Sequence, residues 1–166
     1  MFEILQVVTL LLVAIAMALS FAHALELPGK LRLSREHYLA VQPIYYPGFT
    51  IGGASEPIGI IALLLLCFFT PTGTPQLWLT ICAFAALALA HATYWMFTHP
   101  VNNFWLKDFQ LKGLGAGFFG VGNSARKQQA EMPEWTELRD RWEFSHVARA
   151  LFSMLSLVLL TTALVI

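Results

Sequence analysis

Six ionisable side chains of only two kinds stand near the ends of long apolar stretches: His23 and Glu26, Glu56, His91, and Glu143 and His146. The pairs His23/Glu26 and Glu143/His146 are three residues apart, which sets both members of each pair on one face of a helix. Imidazole with carboxylate is a donor set for iron, zinc or manganese. Glu-x-x-His on bundle helices is how di-metal carboxylate proteins hold their ions. The same groups act as general acids and bases, histidine with a pKa near neutrality. An ionisable group at membrane depth is costly, so each is a functional-site candidate. Two chemistries follow. One is a transition-metal centre (iron, zinc or manganese) ligated by His23, Glu26, Glu56, His91, Glu143 and His146, open to oxygen or to an activated water. The other is a metal-free ionic network in which Arg149, one turn beyond His146, pairs with Glu56 and closes the mouth of the bundle.

The elements that must position these groups read as membrane spans. The chain of 166 residues is 57 % apolar, 12 % charged and has mean hydropathy +0.64; that charged fraction is about half of a soluble domain's. Ten basic and ten acidic residues cancel, so no basic excess points to nucleic acid. Apolar segments cover about 4–27, 49–69, 77–97 and 145–166, each long enough for a hydrocarbon core of ~30 Å. The run from Ile58 to Phe69 is too short to cross alone, so the second helix starts earlier and takes in Glu56. Ala22-His23-Ala24 resembles a leader-cleavage site, but Glu3 and the lack of an early Lys or Arg argue for a retained helix. Cys67 and Cys82 form no C-x-x-C and read as small buried hydrophobes.

The expected fold is all-α: one polytopic membrane domain over 1–166, an antiparallel bundle of four transmembrane helices with interfacial helical loops. Small residues such as Ala14, Ala18, Ala85 and Ala88 are expected at its helix contacts. Segment 70–76 is a tight uncharged turn. Segments 28–48 and 98–144 carry nine of the ten Lys and Arg residues. The positive-inside rule puts both in the cytoplasm and both termini outside, in the plasma (bacterial inner) membrane. All six candidate groups then lie within roughly 10 Å of the cytoplasmic boundary, at ~1.5 Å of rise per residue. The aromatic stretch 36–46 is suited to the interface or to the bundle mouth. Pro133-Glu-Trp is a helix-start signal that leads into the fourth span. Five glycines in 113–122 lack the Lys-Ser/Thr and the preceding strand of a phosphate loop. Tyr45, Tyr46, Tyr94, Trp95 and Trp142 offer aromatic walls. Asn102 and Asn103 follow His99-Pro100, where the third helix is expected to end. His37 and His99 are expected to be interfacial and exposed.

Pro100-Val101-Asn102 and the later run Trp135-x-x-Leu138-Arg139-x-Arg141-Trp142-Glu143-x-x-His146-x-x-Arg149 resemble the signature of the anthrone oxygenase-like family of four-helix integral membrane proteins. The resemblance covers nearly the whole chain. The stretches His23–Lys30 and Gln42–Phe49 look like features of a subgroup. The resemblance implies a membrane oxidoreductase that oxygenates an electron-rich, apolar aromatic or quinone-like substrate and is usually described as cofactor-free. A base removes an acidic proton and the carbanion passes an electron to oxygen. His146 or His91 is the candidate base, with Glu143 and Arg149 completing the catalytic set. Asn102, Trp142, Trp95 and Tyr46 are the candidate substrate contacts, and Asn102, Trp142 and Arg149 face a phenolate oxygen. The alternative is a non-enzymatic haem- or metal-carrying subunit or assembly factor, with His23 and His91 as axial haem ligands on facing helices. The lipid bilayer is the expected partner, and a homo-oligomer stays open.

Overall fold

The computed structural model describes residues 1–105 and 134–166. The glycine-rich stretch 113–122, Lys107, Lys112, Arg126, Lys127, Pro133 and the side chain of Asn103 lie outside the described residues. Among the described residues every element is helical: α1 (Phe2–Lys30), α2 (Arg35–Val41), a 3-10 turn (Gln42–Tyr45), α3 (Gly48–Gly53), α4 (Ser55–Phe69), α5 (Pro75–Thr93), a π-helical turn (Tyr94–Thr98), α6 (His99–Trp105) and α7 (Trp135–Val165). Four helical stretches are long and apolar enough to cross a membrane: Phe2–Lys30, Gly48–Phe69, Pro75–Asn102 and Trp135–Val165. This is the build of an integral multi-pass membrane protein.

The four helices form a ring in which α1 packs on α4 and α7, and α5 packs on α4 and α7. Neighbours run antiparallel. Gly52 and Gly59 meet Leu19 and Leu12 in descending order along α1. Ser156 donates to the Ala83 carbonyl while Ser145 pairs with Thr98, so α7 falls as α5 rises. The centre is a compact set of Val13, Ala16, Leu63, Leu66, Ala83, Leu87 and Leu160. Small residues do sit at the contacts, in part on another face than expected. Ala16, Ala83, Ala86 and Ala90 are buried; of the four expected, Ala14 and Ala88 are half-buried and Ala18 and Ala85 are exposed. These helices are apolar all round, so hydropathy alone sets no phase. Cys82 likewise faces outward and Cys67 is half-buried, both as free thiols.

The third span does not stop at His99-Pro100. A π-helical turn at Tyr94–Thr98 widens the helix just before the proline, and the chain stays helical to Trp105. Such a turn takes up the ring that would strike the preceding carbonyl. Pro100 has no N–H to give to Met96, four residues back; Arg141 Nη2 donates to that Met96 carbonyl at 2.9 Å. The first helix also runs further than its apolar stretch, passing Pro28 to reach Lys30. The fourth is continuous from Trp135, as the start signal implied.

Candidate functional site

The antiparallel order brings the end of α1, the start of α4, the end of α5 and the start of α7 to one level. Each contributes polar side chains to the bundle interior. On α1, His23, Glu26 and Lys30 share one face, and Lys30 is folded inward, only 4 % exposed. Its ammonium lies 3.0 Å from Glu26 Oε2, 3.4 Å from Glu143 Oε1 and 3.4 Å from His23 Nδ1. It also stands over the rings of Tyr45 and Trp142, 4.6 and 4.9 Å from their centroids, a favourable cation–π geometry. Segment 36–46 dips into the bundle mouth here. The Tyr38 hydroxyl donates to Glu143 Oε1 at 2.9 Å, and the Tyr45 hydroxyl donates to Glu26 Oε2 at 2.6 Å. Burial pushes both phenols far above their ordinary pKa, and the carboxylates they serve push the same way. Both therefore stay protonated donors.

A second cluster lies across the bundle. Glu56 Oε2 accepts from Arg149 Nη2 at 2.7 Å, and Glu56 Oε1 accepts from His91 Nδ1 at 2.9 Å. Trp95 Nε1 donates to His91 Nε2 at 2.9 Å. An indole N–H can only donate, so His91 carries its proton on Nδ1, toward Glu56. Arg149 also reaches His146, with Nη1 3.3 Å from Nδ1, and its guanidinium lies 5.1 Å from the Tyr94 ring centroid.

Between the clusters the imidazoles of His23 and His146 stack, centroids 4.1 Å apart at 33°. Trp142 packs on His146 at 4.2 Å; Tyr45 and Phe49 pack on His23 at 4.4 and 4.6 Å. They border a cavity of about 60 Å³ that is also lined by Glu56, Tyr94, Thr98, Asn102 and Arg149. His146 Nε2 is buried and has no hydrogen-bond partner among the described residues. A buried, unsatisfied polar atom in a cavity is rare enough to need a reason.

Of the residues singled out from sequence, His23, Tyr45, Glu56, Tyr94, Asn102, Trp142, His146 and Arg149 line this cavity. Asn102 Oδ1 accepts from Trp142 Nε1 at 2.8 Å and so fixes the indole wall. Glu143 does not line it: it is fully buried, held by Lys30 and Tyr38. Glu26 sits at the rim and His91 stands behind Glu56. Trp95 is half-exposed on the outer side of His91, and Tyr46 is not among the lining residues. Sequence reasoning missed Lys30, Tyr38 and Phe49. In the sequence Lys30 reads as a loop charge; the one signal to the contrary is its spacing, four residues from Glu26 and seven from His23, on the same helical face.

The expected metal centre is not assembled. Among the described residues no three His, Cys, Asp or Glu groups are grouped to hold an ion. The physical reason is that two cations of the chain already occupy the carboxylates, Lys30 with Glu26 and Glu143 and Arg149 with Glu56. Arg149 does pair with Glu56, as the ionic-network alternative required. The haem alternative lacks one of its two ligands: both ring nitrogens of His91 are engaged, by Glu56 and Trp95. No lone pair remains there for an iron shared with His23.

The family model for anthrone oxygenase matches residues 44–159. The chain belongs to the anthrone oxygenase family. No curated protein and no solved structure matches it. The family match takes in Tyr45, Glu56, His91, Asn102, Trp142, Glu143, His146 and Arg149. It leaves out α1 and its His23, Glu26 and Lys30, together with Tyr38, so the match is shorter than the near-complete resemblance expected. The Arg149 half of the site thus falls within the family's matched region, and most of the Lys30 half, on the first helix and loop, lies outside it.

Proposed function

We propose that this protein is a membrane oxygenase that binds an apolar aromatic substrate with an acidic C–H bond and lets molecular oxygen oxidise it. The observation that carries the reading is His146 Nε2, without a hydrogen-bond partner among the described residues, in an aromatic-walled cavity; membership of the anthrone oxygenase family supports it. In this reading the base is Glu56, whose carboxylate lines the cavity, in place of His91, which turns its Nδ1–H to Glu56 and its Nε2 to Trp95. Arg149 holds both Glu56 and His146 in place. Trp142, Tyr45 and Phe49 stack on the ring system.

The reaction balances with oxygen as the only oxidant. Glu56 takes a proton from the benzylic CH2 of an anthrone-type substrate. The carbanion gives one electron to O2, and the radical pair closes a C–O bond to give a hydroperoxide anion. That anion regains the proton from Glu56 and loses water, leaving C=O. In sum CH2 and O2 become C=O and H2O. The donors around the substrate oxygen stabilise the charge that develops there, a contribution of about 3 kcal/mol for one well-placed donor. The cavity of about 60 Å³ is below the ~300 Å³ of ordinary ligand pockets, so a three-ring substrate requires the Tyr45 and Phe49 wall to move outward.

The test is oxygen uptake and quinone absorbance with an anthrone, using the full chain in lipid nanodiscs. Uptake above the protein-free rate is expected, falling about 100-fold in kcat for His146→Phe and also lost in Glu56→Gln. Uptake no faster than the protein-free rate, or unchanged in both variants, overturns the reading.

A further inference from the structure

Both imidazoles at the cavity have a fixed cation of the chain at the same ring atom. Arg149 Nη1 stands 3.3 Å from His146 Nδ1, and Lys30 Nζ stands 3.4 Å from His23 Nδ1. Guanidinium and ammonium can only donate. Toward these cations each Nδ1 offers its lone pair, the tautomer that leaves each ring neutral with its proton on Nε2. Two cations face three carboxylates beside them, Arg149 against Glu56 and Lys30 between Glu143 and the rim residue Glu26, which is 42 % exposed. A cavity with no excess of positive charge does not favour a full anion over a neutral ligand. It does favour an oxygen that accepts hydrogen bonds and gains charge as reaction proceeds.

We propose that Lys30 and Arg149 lock His23 and His146 as a stacked pair of Nε2–H donors, and that this pair is the subsite for the carbonyl oxygen of an aromatic ketone or quinone. Lys30 is then a positioning residue that acts through His23. The inference rests on the cavity being the substrate site and adds which atom of the substrate is recognised. One contact opposes it: Glu26 Oε2 lies 3.7 Å from His23 Nδ1 and would call for a proton there. Lys30 is the nearer of the two.

The experiment is nitrogen NMR of the full chain in nanodiscs at pH 7 with 15N-labelled histidine. His23 and His146 are expected to give neutral, Nε2-protonated signatures. Adding 9-fluorenone, a neutral aromatic ketone, is expected to shift both Nε2 resonances, and His146→Phe is expected to weaken its binding about tenfold. Lys30→Met is expected to release His23 from the Nε2–H form, and Lys30→Arg to restore it. If Lys30→Met does not fold, Lys30→Met with Glu143→Gln removes both buried charges together and serves instead. A proton on Nδ1 of either histidine in the native chain, or fluorenone binding that moves neither Nε2 resonance, overturns the inference. Failure of the oxygenase reading looks different: both Nε2 shifts persist and no oxygen is consumed.

Discussion

Glu143 is the most deeply placed carboxylate of the site, fully buried, and its replacement separates anchoring from catalysis. One oxygen accepts from the Tyr38 hydroxyl at 2.9 Å, and the pair faces Lys30 Nζ at 3.4 and 3.5 Å. Glu143→Gln keeps the volume and an acceptor for Tyr38, and Lys30 keeps Glu26 at 3.0 Å. Its expected cost is about 1–2 kcal/mol, the difference between a charged and a neutral partner. Glu143→Ala strands a buried ammonium and a buried hydroxyl, for an expected loss of about 3–5 kcal/mol. Lys30→Met combined with Glu143→Gln is expected to return most of that loss, because no unpaired charge remains. The assay is SDS-driven unfolding in mixed micelles, followed by tryptophan fluorescence and read as a double-mutant cycle. Refutation is a Glu143→Ala cost under about 1 kcal/mol, or strictly additive single changes, since either result means that Lys30 does not depend on Glu143.

Three further outcomes are expected. Tyr38 and Tyr45 have phenol pKa values raised by burial, so the folded state holds their protons where the unfolded chain releases them. Their contribution is complete below the unfolded value of about 10 and is lost as pH rises beyond it; alkaline unfolding curves of Tyr38→Phe and Tyr45→Phe should be flatter there than the native curve. A Cβ at Gly59 would lie 3.3 Å from Leu87 Cδ2 and 3.5 Å from Leu12 Cβ. Gly59→Leu should therefore cost about 1–3 kcal/mol through overpacking of three helices, measured by the same unfolding assay, while Gly59→Ala stays well below that. With Cys67 and Cys82 changed to Ala, Glu36→Cys on exposed α2 should react with a membrane-impermeant thiol reagent only in inverted vesicles; reaction in intact cells would reverse the proposed cytoplasmic placement of 28–48.

The number and kind of elements were legible because apolar length alone sets them: four stretches of bilayer-crossing length leave few alternatives. The common level of His23, Glu56, His91, Glu143 and His146 was legible for a related reason, since antiparallel spans of known length fix depth by counting. What counting cannot fix is rotation. His91 and Glu56 share a level, but only the packing of α5 on α4 shows that His91 reaches the cavity through Glu56. The interior alanines were misplaced because helices apolar on every face carry no rotational signal. The end of the third helix was misread because Pro100 is a strong breaker in isolation; the π-helical turn before it and the Arg141 hydrogen bond to Met96 depend on α7, far away in sequence.

Lys30 shows why residue type and spacing did not decide between a metal and a salt-bridge network. His23, Glu26, Glu143 and His146 have the composition of a metal site, and a divalent ion would relieve the repulsion between Glu26 and Glu143. An ammonium relieves the same repulsion and needs only one more half-turn of helix. Whether α1 stops at Pro28 or continues to Lys30 therefore selects the chemistry. If the helix ended at the proline, Lys30 would be a loop charge in water and the carboxylates would lack a counter-ion. Because it continues, Lys30 falls on the face of His23 and Glu26 and takes the place where an ion would sit. The aromatic faces of Tyr45 and Trp142 then shield it from water. Tyr45 comes from the loop and Trp142 from α7, so the choice is made by the tertiary fold and not by the three-residue spacing that suggests a metal.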